Sequence, residues 1–265
     1  MLITVPDMRK LVILAAKSAL AVISLAGVCL LAFAGWLVWH YEYGLGLPSE
    51  DRLATVSSTG PACTTAPQRT YIPLAEIPPL LLKAIVATEQ PDFYEAWSLN
   101  PFVELALALV GRRKPGPAGI TQSVARCLMS LAPEPYNGES LDRHVGTLIL
   151  MKRVASTLSR DRILEIYLNE TYLGRGSYGV GAASISYFGK PLGSLRTDEI
   201  ALLAALARTP FLDRRKDRAL DWRNRVIDRM LQMGAISDAE AASARARPLE
   251  FRDPPAATII DRQKL

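Results

Sequence analysis

The feature that most constrains this chain is an uncharged run over residues 18–39, SALAVISLAGVCLLAFAGWLVW. It matches the roughly 20 residues needed to cross hydrocarbon, so it predicts one transmembrane helix. A cleaved secretory signal is the alternative, because Ala32-Phe33-Ala34 has the small-x-small form. The apolar stretch is longer than a typical signal core and continues through Trp36 and Trp39, which favours a retained span with interfacial aromatic anchors. Arg9, Lys10 and Lys17 precede it, whereas Glu42, Glu50 and Asp51 follow it. That asymmetry predicts a cytoplasmic N-terminus over 1–17 and an extracytoplasmic remainder.

The rest of the 265 residues is a globular chain: 49% hydrophobic and 22% charged is too apolar for disorder and long enough to bury a core. A formal net charge of +5, spread along the whole length, argues against a nucleic-acid partner and leaves membrane or phosphate partners open. Cys29, Cys63, Cys127, His40 and His144 share no metal-ligand spacing, and no metal ligand is assigned. With Cys29 in the span, Cys63 and Cys127 form either a disulfide or two free thiols.

Residues 40–72 are rich in Gly, Ser, Thr and Pro and read as a linker with one or two strands, such as Thr70-Tyr71-Ile72. From residue 73 apolar residues recur every three or four positions, predicting helices over 80–89, 101–110, 120–131, 141–158, 160–169, 198–208 and 218–233. Ser159 is placed to cap the helix that follows it, Thr197 precedes two acids in a first turn, and Ser237 with Glu240 forms a capping box. The domain of 73–250 should be mainly α, with a tail over 251–265. The segment 98–119 reads either as a core helix with a basic end or as a piece dipping into the outer leaflet.

Three separated blocks carry a resemblance: 72–97 (IPLAEIPPLLLKAIVATEQPDFYEAW), 116–129 (GPAGITQSVARCLM) and 159–190 (SRDRILEIYLNETYLGRGSYGVGAASISYFGK). Together they resemble the peptidoglycan glycosyltransferases of family 51, the transglycosylase modules of penicillin-binding proteins and of monofunctional membrane-anchored enzymes. The third block is the most specific, and the likeness extends over about 70–247, including the closing helices of 201–210 and 217–237. With no room for a transpeptidase domain, a monofunctional form is expected.

The resemblance implies a lysozyme-like, mainly α fold that polymerises lipid II outside the bacterial cytoplasmic (inner) membrane. Its partners would be lipid II, the nascent glycan strand, the membrane and other cell-wall synthesis proteins. A carboxylate deprotonates the acceptor 4-hydroxyl, which displaces polyprenyl pyrophosphate; a positioned base and donors for the departing charge are what that chemistry needs. Glu89 stands at the family's first carboxylate and is the implied general base. Thr121 and Gln122 match the polar pair of the second motif, while Arg126 (at a position usually Lys) and Arg143 are the implied pyrophosphate contacts. The cofactor is unknown, with magnesium or manganese compatible with the chemistry.

The chain also departs from that pattern. Gln90 and Ala96 replace an Asp and a His, Cys127 replaces an Asn, and Ala118-Gly119 and Ser123 alter the second motif. In register with Glu165, the third motif's Lys falls on His144 and its second essential Glu on Thr147. A catalytically impaired binding protein is therefore the alternative expectation. Glycan hydrolysis ranks last, since it normally uses paired carboxylates.

Overall fold

The computed structural model describes residues 8–56, 63, 71–95, 119–129 and 140–252. Two compact units, Met1–Leu47 and Pro48–Leu265, divide the chain. The first contains helix α1, Met8–Trp39, continued by a π-helical turn, His40–Gly44. Over Ala16–Gly44 it is long and apolar enough to cross a membrane, with mean hydropathy 2.3 and none of its most apolar window buried. Its large side chains, such as Leu31 and Phe33, stand bare, as a lipid-facing surface requires.

The second unit is helical, and no strand occurs among its described residues; Tyr172 and Tyr178 make an isolated bridge. Its helices are α2 (Glu50–Val56), α3 (Pro79–Glu89), α4 (Ile120–Met129), α5 (Ser140–Thr157), α6 (Arg160–Glu170), α7 (Val180–Phe188), α8 (Thr197–Arg208), α9 (Lys216–Gln232) and α10 (Asp238–Ala246). Two of them differ from the sequence expectation. The stretch read as a linker with strands contains α2, which packs on α5 through Leu53, 1% exposed. The helix α7 was not expected, although Val180, Ala183, Ser184 and Tyr187 recur at helical spacing and are all buried. The expected helix over 101–110 and nearly all of the segment 98–119 lie outside the described residues.

Several helices have a local cause. α3 starts on Pro79, which needs no N–H there. Ser159 Oγ accepts from the Arg162 N–H at 3.1 Å, and Ser237 and Glu240 form the reciprocal capping box. At the start of α8 the Arg196 N–H donates to Glu199 Oε2 at 2.8 Å. α8 is apolar on all sides and is buried from Asp198 to Leu206; α3 and α9 pack against it and against each other. α4 packs on α5 and α6, which makes a second layer.

The third motif block builds the frame between these layers. Asn169 on α6 grips Ile72 at both ends, accepting its N–H at 2.8 Å and donating to its carbonyl at 2.9 Å. Glu165 accepts from the Leu74 N–H at 2.7 Å, from the Tyr71 hydroxyl and from the Arg162 guanidinium. At Gly174, with φ +90°, a Cβ would lie 2.0 Å from the Pro210 carbonyl oxygen, so only glycine lets the loop after α6 meet the loop after α8. Cys63 and Cys127 are joined in a disulfide, which resolves the sequence's open choice and ties residue 63 to α4.

Candidate active site

α3 ends at Glu89 because Gln90 precedes Pro91, and a residue before proline is pushed out of the helical region; its φ and ψ are −156° and 85°. Glu89 is 8% exposed, and its Oε1 is enclosed without a hydrogen-bond partner. Two cations come from helices distant in sequence. Arg208, the last residue of α8, donates from Nη1 to the Thr88 carbonyl at 3.1 Å, and Arg229 of α9 donates from Nη1 to the same oxygen at 2.9 Å. Burial pushes the Glu89 carboxyl up to about 7, while the positive charges of Arg208 and Arg229 hold it from rising further. Tyr167 on α6 is shifted upward as well, first by its own burial and then by the charge of Glu89.

The other residues expected from sequence divide by depth. Thr121, on α4, is 1% exposed, and its Oγ1 is a second enclosed oxygen without a partner. Gly119, two residues earlier, lies so close to Gln90 that a Cβ there would meet Gln90 Oε1 at 2.9 Å. The start of α4 is thus brought against the end of α3. Gln122 is half-buried, whereas Arg126 on α4 and Arg143 on α5 are exposed. The cations that act on Glu89 are Arg208 and Arg229, which sequence reasoning missed. They lie 120 and 141 residues from Thr88, and no spacing rule reaches that far.

At the third-motif position expected to carry a carboxylate, Thr147 is 4% exposed and donates its hydroxyl to the Arg143 carbonyl of its own helix at 2.6 Å. Among the described residues no group of three or more His, Cys, Asp or Glu side chains stands together to hold a metal ion. A cavity of ≈ 620 Å³ lies elsewhere, lined by residues that include Pro73, Leu74, Leu82, Tyr94, Asp161 and Glu165. None of the five residues expected from sequence lines it. A buried carboxyl that is half-ionised near neutrality, with one oxygen unpartnered, has the acid–base character to take a proton from a hydroxyl brought to it.

The family model described as Transglycosylase matches residues 56–231. Penicillin-binding protein 1A of Aquifex aeolicus is 33% identical over 87% of this chain and 34% of its own length. The protein of the same name in Escherichia coli is 37% identical over 69% of this chain and 22% of its own. A crystal structure of penicillin-binding protein 1A from Haemophilus influenzae aligns with 74% of this chain and 20% of that one, at 25% identity and a TM-score of 0.42. The chain thus spans about a third or less of the relatives it matches.

Proposed function

The chain belongs to the transglycosylase family, and from that premise we propose that it is a membrane-anchored peptidoglycan glycosyltransferase that polymerises lipid II. In this reading α1 holds the chain in the bacterial inner membrane with its N-terminus in the cytoplasm, and the second unit works outside. Glu89 takes the proton from the acceptor 4-hydroxyl. The freed oxygen forms the new bond to the anomeric carbon of the growing strand as the bond to the polyprenyl pyrophosphate oxygen breaks. Thr121 and Gln122 hold sugar or phosphate oxygens, and Arg126 and Arg143 meet the charge of the leaving pyrophosphate. Lipid II and the nascent strand are the ligands, with other cell-wall synthesis proteins as neighbours. The observation that carries the reading is the enclosed, unpartnered oxygen of Glu89 on a carboxyl pushed up to about 7 at the family's base position.

A second reading rests on Thr147, whose hydroxyl is turned back onto its own helix where the family has a carboxylate. That favours a catalytically impaired protein that binds lipid II or glycan and scaffolds cell-wall synthesis. Full-length protein given lipid II, with and without magnesium, separates the two. Polymer that falls about 10²- to 10⁴-fold in Glu89→Gln supports the enzyme. Retention of lipid II without polymer in the wild type selects the scaffold.

A further inference from the structure

Two guanidinium groups from two helices converge on a single carbonyl, that of the residue before Glu89. One cation near a helix C-terminus is ordinary, because the last carbonyls lack intrahelical partners and carry partial negative charge. Two cations on one carbonyl exceed what capping requires, and among the described residues neither forms a salt bridge with a carboxylate. Arg208 ends a helix buried along its length, and its guanidinium lies 5.7 Å from the Trp222 ring. Arg229 stands between the buried Val226, Ile227 and Met230 on α9. We propose that Arg208 and Arg229 are positioning residues that fix the last turn of α3 and keep Glu89 ionisable inside the protein. This rests on the reading of Glu89 as the base.

The physical need is plain. Burial alone keeps a carboxyl neutral, and a neutral carboxyl cannot accept a proton at physiological pH. Among the described residues, the charged and titratable groups that act on Glu89 or are acted on by it are Arg208 from α8, Arg229 from α9 and Tyr167 from α6. The first two favour the charged form. Two hydrogen bonds to the backbone also hold the Cα of the base in place, without occupying the carboxyl oxygen that a substrate hydroxyl would use.

The test uses full-length protein in detergent with ¹³C-carboxyl-labelled glutamate, and the Glu89 signal is identified by its loss in Glu89→Gln. Arg208→Gln/Arg229→Gln should move the Glu89 midpoint upward by a unit or more, while Arg208→Lys/Arg229→Lys should keep it within half a unit. Turnover on lipid II should fall roughly tenfold or more at pH 7 in the Gln pair with KM unchanged, and recover as pH is raised past the new midpoint. Damage to the fold would not be rescued by alkali. If the double variant does not fold, each single Gln variant should still show a smaller upward step. An unmoved midpoint in the Gln variants overturns the proposal, whatever the activity. A midpoint that shifts in the Gln variants while the wild type makes no polymer upholds the positioning role and removes only the enzymatic reading.

Discussion

Glu89 and Glu165 are the same residue type, each 8% exposed, and their surroundings are opposite. Glu165 is filled: a hydroxyl, a backbone N–H and a guanidinium occupy its oxygens, and these donors hold its carboxyl below the usual range against the burial that would raise it. Glu89 is open: one oxygen has no donor, its nearby cations are spent on a backbone carbonyl, and burial carries it up to about 7. Burial therefore does not separate a carboxylate that ties the frame together from one proposed to act as a base. What separates them is whether the protein itself supplies the hydrogen bonds.

The sharpest way to break this contrast is to neutralise each carboxylate in turn. Glu165→Gln leaves Arg162 without its charge partner and places an amide where donors already converge. A loss of roughly 3 kcal/mol is expected, read as a lower midpoint in chemical denaturation. Glu89→Gln should do the reverse. Because the folded protein keeps the Glu89 proton to higher pH than the unfolded chain, wild-type stability falls relative to Glu89→Gln as pH rises from about 4.5 to 7, then levels. The variant should be more stable than wild type by up to about 3 kcal/mol at pH 8 and indistinguishable from it at pH 4. Equal stabilities at pH 8 would show that Glu89 has donors after all.

The filled carboxylate belongs to a frame, and Asn169→Ala sharpens the comparison from that side. Both backbone groups of Ile72 lose their partner, so a loss of about 1–3 kcal/mol is expected, together with faster amide exchange at Ile72. Much of that frame was legible in sequence. The caps at Ser159 and Ser237 and the apolar spacing of α8 and α9 are local signals, and they correspond to local structure. Glu165 and Asn169 were legible as motif residues but not as anchors of residues 71–74, because that pairing spans more than 90 residues. α7 was missed although its spacing was present, since its small residues Gly181, Ala182 and Ala183 dilute the apolar pattern. α2 was missed because a seven-residue helix shows too few turns for periodicity to register. The position of the proposed base, Glu89, was legible only through the motif. The arginines behind it were not legible at all, since only the packing of α8 and α9 on α3 brings them there.

The smallest expected change in stability lies at Arg126, and it probes how far the open region extends. Its side chain is exposed on the same helix as the buried Thr121, five residues further along. Surface substitutions away from such contacts usually stay within about 0.5 kcal/mol, so Arg126→Ala should leave the denaturation midpoint unchanged. Its effect should appear in catalysis: the pyrophosphate diester is already anionic, and a guanidinium that meets it is engaged more strongly as further negative charge develops on the leaving oxygen. Turnover on lipid II should then fall about tenfold with Glu89's acid limb unmoved. Loss of stability without loss of turnover would place Arg126 with the structural set that Glu165 represents, and the pyrophosphate contact would have to be sought on another cation.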